Sequence, residues 1–111
     1  MIKRKGKKGF VYILVNQDES LFKYGASSYP EERVRHINFK FKDNPFKIIH
    51  LMPSKDIFHL ECSVKWLFWR FGIMTEIFSM PLLTKELVVK IANCAFHDDK
   101  KSFEEIYYQM V

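Results

Sequence analysis

Glu61 occupies a place where a carboxylate is costly. Between Pro53 and Gly72, Ile57, Leu60, Val64, Leu67, Phe68 and Phe71 recur at helical spacing. At about 100° per residue, Glu61 falls inside that apolar stripe, between Ile57 and Phe68. A carboxylate there either stays protonated or meets a cation, because burying it alone is expensive. Two chemistries are open to it: a salt bridge to an Arg or Lys of a neighbouring element, or metal ligation at the edge of a cleft. Arg33 is placed for a different task. Val34, Ile37 and Phe41 mark the inner face of an earlier helix, and Arg33 flanks that face, so it points along the surface of whatever the helix covers. Arg35 and His36 lie further round toward solvent, where they suit phosphate-backbone contacts or plain surface.

Strand alternation sorts a third group. Tyr12 shares a face with Phe10 and Leu14, Lys23 goes with Leu21 and Gly25, and Tyr24 points the other way with Phe22. A lysine in the middle of a short strand needs a partner or a task. His59 with Cys62, and Cys94 with His97, are four side chains of zinc-ligand type. However, His59 and Cys62 fall on the outer side of their helix, and neither spacing matches a familiar finger. No Gly-rich phosphate loop, Ser-His-Asp set or nucleotide fingerprint is present.

These residues need elements to hold them. Phe10–Val15 is a β-rich run, residues 16–20 are turn chemistry and Leu21–Ala26 a second strand, which makes a hairpin. Ser27 or Ser28 then caps a helix with Pro30 early and Glu31 and Glu32 in its first turn, running to about Phe41. Asp43-Asn44-Pro45 breaks it. Phe46–Leu51 is a third strand, and a second helix opens over Pro53–Asp56 and ends near Gly72. Glu76–Met80 is a brief extended piece, and helices over 84–96 and 101–110 complete the chain. The order predicts an α+β fold, a small sheet covered by helices. Residues 1–8 read as a disordered basic arm and 9–111 as one domain.

The chain has 111 residues, 48% apolar and 16% aromatic, which fits a folded globule with one modest core. Its longest apolar run is six residues, far short of the roughly 20 that span a membrane. A basic start with no apolar stretch behind it is not a secretory signal, and two cysteines suit an intracellular, reducing setting. The net charge is +5, concentrated in Lys3, Arg4, Lys5, Lys7 and Lys8 and again between Arg33 and Arg70, a pattern that suits a polyanion such as DNA.

Phe10-Val11-Tyr12, followed eleven residues later by Lys23-Tyr24-Gly25, resembles the paired motifs of the GIY-YIG nuclease superfamily. The segment from Ala26 to Arg33, Asn44-Pro45, Leu60-Glu61 and Glu76-Ile77-Phe78 are similar to the family's later motifs in order and spacing. They resemble most the compact branch found in many phage and viral proteins, whose second motif often reads Lys-Ile-Gly. The resemblance covers about residues 9–85. It implies a three-stranded antiparallel sheet flanked by helices and metal-dependent hydrolysis of a DNA phosphodiester. By position, Glu61 would bind one Mg²⁺ or Mn²⁺, Tyr12 would take a proton from the attacking water directly or through another water, and Arg33 would meet the developing phosphorane charge. Lys23 stands where the second motif's tyrosine would be and would lower the pKa of Tyr12. Ala26 follows the glycine where a lysine is common, Lys65 stands one turn after Glu61 where a histidine is common, and the family's late asparagine is not evident.

The expected function is therefore a DNA endonuclease. Cleavage would involve Tyr12, Lys23, Arg33 and Glu61, and DNA contacts would come from Lys3, Arg4, Lys5, Lys7, Lys8, Arg35, His36 and Lys65. A chain this short implies low sequence specificity, or specificity supplied by a homodimer or protein partner. It would act in the cytoplasm of a host cell, or in the nucleus of a eukaryotic one. The alternatives are a nucleic-acid-binding module that cleaves poorly or not at all, and a viral protein-interaction factor.

Overall fold

The computed structural model describes residues 6–79 and 83–110; Lys3, Arg4, Lys5 and Met80 lie outside the described residues. The hairpin forms as strands β1 (Gly9–Asn16) and β2 (Phe22–Ser27). Asn16 closes its turn: the Asn16 and Leu21 backbones pair, and the Asn16 Oδ1 accepts from the Leu21 N–H at 2.9 Å. Strand β3 (Phe46–Ser54) runs antiparallel along the other edge of β1. The extended piece after Glu76 contributes a fourth strand, β4 (Ile77–Phe78), which pairs with β2 through Phe22↔Phe78 and Lys23↔Ile77. The sheet thus has four strands rather than the three expected, in the order β3-β1-β2-β4. Helices α1 (Pro30–Asn38), α2 (Ile57–Trp69), α3 (Lys85–Phe96) and α4 (Lys100–Met110) complete an α+β fold. Among the described residues, no helix is long and apolar enough to cross a membrane.

Strand β1 is buried almost end to end because helices cover both faces of the sheet at its centre. Val11, Ile13 and Val15 join Phe22, Tyr24 and Met52 in a large core closed by α2, α3 and α4. Tyr12 and Leu14 point the other way into a smaller core with Val34 and Phe46, closed by Ile37 and Phe41. A register shift between Ile13 and Leu14 leaves Ile49 without a cross-strand partner. Such a bulge lets Ile48 and Ile49 serve the small and large cores respectively.

Several boundaries differ from expectation for identifiable reasons. Helix α1 starts at Pro30 behind Tyr29, with no side-chain cap. The two serines are engaged elsewhere: the Ser27 hydroxyl accepts from the Tyr29 N–H at 3.0 Å, and Ser28 donates to the Lys8 carbonyl at 2.8 Å. Strand β3 runs on to Ser54 and includes Pro53, which an edge strand tolerates because one side of it needs no N–H donor. Helix α2 then begins at Ile57, capped by Asp56, which accepts from the His59 N–H. The inner end of the basic arm is fixed to the sheet and to α2 rather than loose. Besides the Ser28 bond to Lys8, the Lys7 carbonyl accepts from the Ile57 N–H at 2.9 Å.

Asn38, the last residue of α1, joins that helix to the sheet by bonding both backbone groups of buried Phe46. Its Nδ2 donates to the Phe46 carbonyl at 2.9 Å and its Oδ1 accepts from the Phe46 N–H at 2.8 Å. Asn38→Ala leaves both groups unmatched and should cost about 1–3 kcal/mol in chemical denaturation. A loss below about 0.5 kcal/mol would show that water replaces the clamp.

Candidate active site

Tyr12 pairs across the sheet with Gly25. A Cβ built on Gly25 would lie 2.5 Å from the phenol Cζ, closer than atoms approach. The Tyr12 ring therefore lies across the glycine, and its hydroxyl overhangs β2 rather than β1. Strand β2 needs a glycine at position 25 for this close approach. Gly25→Ala should destabilise the fold by about 1–3 kcal/mol through overpacking. It should also move the phenol, which near-ultraviolet circular dichroism reports; an unchanged spectrum with unchanged stability would rule out the contact.

Charged side chains from three parts of the chain act on that hydroxyl. Arg33, exposed on α1, hydrogen-bonds to it and favours the phenolate, whereas Glu61 and Glu76 oppose that charge. Burial, aided by the two carboxylates, outweighs Arg33: Tyr12 is 2% exposed and its pKa stands above the ordinary tyrosine value. Lys23 emerges on the same face, two residues from Gly25 on β2, and is 8% exposed. Its ammonium lies 3.2 Å from the Glu76 carboxylate, which is largely open to solvent. The partner that a strand lysine requires is thus Glu76, just ahead of β4. The chief cation acting on Tyr12 is Arg33, and Lys23 acts on Glu61 and Glu76 instead.

Glu61 lies half-buried on α2, within the apolar stripe of Ile57, Leu60, Val64 and Phe68. Among the described residues it has no direct ion pair, since Lys23 is taken by Glu76. Burial, and next the charge of Glu76, push its carboxyl above the usual range; Lys23 and Lys65 pull it only part of the way back. Tyr24 lies on the opposite face, stacked on Phe68 at 5.6 Å between centroids. Burial, Glu76, Glu61 and Cys62 push it up to about 12. Tyrosines on both faces respond to Glu61 and Glu76, so these carboxylates lie where both faces reach them, toward the β4 side of the sheet.

Tyr12, Lys23, Arg33 and Glu61 therefore converge, with Lys65 beside Glu61 and Glu76 as a member not singled out from sequence. The remaining basic candidates spread over the surface. His36 is exposed and stacks on Phe39, and Arg35 lines a groove with Phe10, Tyr29 and Leu51. Lys8 lies near Ser28 and Pro53, and Lys7 is exposed. Among the described residues, no three or more His, Cys, Asp or Glu side chains gather as a metal-holding group. His59, Cys62, Cys94 and His97 accordingly do not assemble there; Cys62 is exposed on α2 and Cys94 buried on α3. Glu61 with Glu76 beside it suits Mg²⁺ or Mn²⁺, which take one or two carboxylates and complete their shell with water and substrate phosphate.

Because Glu61 titrates higher in the folded chain than unfolded, its neutral form stabilises the fold below the unfolded carboxyl value. That contribution is lost as pH rises through the folded value. Glu61→Gln should therefore melt within about a degree of the parent near pH 4, and a few degrees higher at neutral pH. A gap that fails to widen toward neutral pH would place Glu61 in an ordinary salt bridge. No family model, curated protein or solved structure matches this chain.

Proposed function

We propose that the protein is a metal-dependent DNA endonuclease of the GIY-YIG type, with its reaction centre at Tyr12, Arg33 and Glu61. The observation that carries this is Glu61, a half-buried carboxylate with raised pKa, no direct cation among the described residues and a second carboxylate close by. A carboxylate in that setting invites a divalent cation. When bound, Mg²⁺ or Mn²⁺ would polarise the scissile phosphate and offset the charges of Glu61 and Glu76, two of the influences that hold Tyr12 protonated.

The chain's own residues supply the rest. Arg33 is exposed and presents a fork of donors that matches phosphate oxygens, within electrostatic reach of Tyr12. Tyr12 is nearly sealed from solvent, which favours a relay through one water over direct contact with the nucleophile. Lys23 keeps Glu76 beside Glu61 and limits the repulsion between the two carboxylates. Lys65, Arg35, His36 and the N-terminal lysines and arginine would follow the DNA backbone.

Supercoiled plasmid should be nicked with Mg²⁺ or Mn²⁺ and left intact with EDTA. Glu61→Ala should reduce cleavage to background, and Arg33→Ala by about 10²–10³-fold. Tyr12→Phe should lower it by about 10²–10⁴-fold. Nicking that survives Glu61→Ala would place the metal elsewhere. A non-cleaving binding module is the second reading, favoured by the raised pKa of Tyr12 and the Lys23–Glu76 bridge. It would show a salt-sensitive mobility shift and no nicking.

A further inference from the structure

Helix α2 carries a feature that phosphodiester chemistry does not use. Cys62, Lys65, Trp66, Trp69, Ile73 and Met74 line a groove of about 420 Å³. Trp66 is 62% and Trp69 47% exposed, with Met74 beside them at 68%. The indoles meet edge to face, 5.1 Å between centroids at 89°, so one ring forms a floor and the other a wall. Indoles left in water beside apolar neighbours mark a surface built to receive a flat apolar body.

The charges nearby say what that body carries. Lys65 stands at the lip, in no ion pair among the described residues and close enough to act on Glu61. Lys65, one helical turn from Glu61, both lines the groove and acts on that carboxylate, so the groove borders the candidate active site. A flat aromatic slot with a cation at its lip, in a chain of net charge +5, matches a nucleobase with its phosphate. Bases within a duplex have both faces stacked, so only an unpaired base offers the slot a free face.

We propose that the Trp66–Trp69 groove is a stacking subsite for an unpaired nucleobase of the nucleic acid held at Glu61. That placement rests on the nuclease reading; the stacking itself does not. The substrate class is then single-stranded or locally unpaired DNA next to the cleaved phosphate.

Trp66 and Trp69 are the only two tryptophans, so indole fluorescence of the whole chain reports on this groove alone. Titration with oligothymidylate should quench that emission, and a duplex of equal length should bind without quenching. By anisotropy of a labelled oligothymidylate, Trp66→Ala and Trp69→Ala should each weaken binding about tenfold, with Trp69→Phe retaining most of it. The salt dependence should be unchanged in these variants and shallower in Lys65→Ala. Three results would each overturn the subsite: equal affinity for single strand and duplex without quenching, alanine variants that bind like the parent, or a dimer that forms with concentration and buries the indoles. Glu61→Ala should leave quenching intact. Quenching without nicking in the parent chain removes only the cleavage reading, and nicking without quenching in the parent removes only the subsite.

Discussion

Tyr12 belongs to the central strand, yet its hydroxyl lies over the neighbouring one because Gly25 offers no Cβ to hold it off. That displacement lets a side chain from β1 meet Arg33 from α1 and feel the carboxylates of Glu61 and Glu76. Any other residue at Gly25 would push the ring back, and the elements that converge on the hydroxyl would lose their common point. The covering helix depends on the same small core: α1 rests on Tyr12 and Leu14 through Val34 and Ile37, and Asn38 locks its end to Phe46. Tyr12 is thus a site residue and a member of the small core at once, and Arg33 and Glu61 reach it from helices α1 and α2.

The charges around that point are not balanced for stability. Lys23 is nearly buried and needs a carboxylate, and Glu76 supplies one at 3.2 Å. Glu61 is then left to the more distant pull of Lys23 and Lys65, and its pKa rises. A sequence selected for stability alone would place glutamine or an apolar residue at 61. Departures from local optimality of this kind cluster where chemistry is done.

Single elements explain what was legible in the sequence. Alternation groups Tyr12 with Leu14 and Lys23 with Gly25, and the register then joins the two groups on one face; helical arithmetic places Glu61 because α2 is unbroken through it. Glu76 carries no such signal: its role depends on a two-residue strand pairing with β2 more than fifty residues earlier, which no local period encodes. Ser27 and Ser28 look like helix caps, but which group a hydroxyl bonds is decided by the chain that passes it, here Lys8 and Tyr29. Pro53 reads as the opening of the second helix until strand order shows β3 to be an edge that tolerates it.

On the proposed function, the acids and the basic surface act together. DNA approaching Arg33 and Lys65 meets the negative charges of Glu61 and Glu76, so without a cation the site attracts the phosphate with one set of groups and repels it with the other. A divalent ion removes the repulsion, and a phosphate removes part of what a bare ion lacks in ligands, given only two carboxylates close by. Each then strengthens binding of the other by the same factor, as linkage requires. On that reading, a site with two carboxylates among the described residues would take up its metal chiefly together with the nucleic acid, whose phosphate would supply the further ligands.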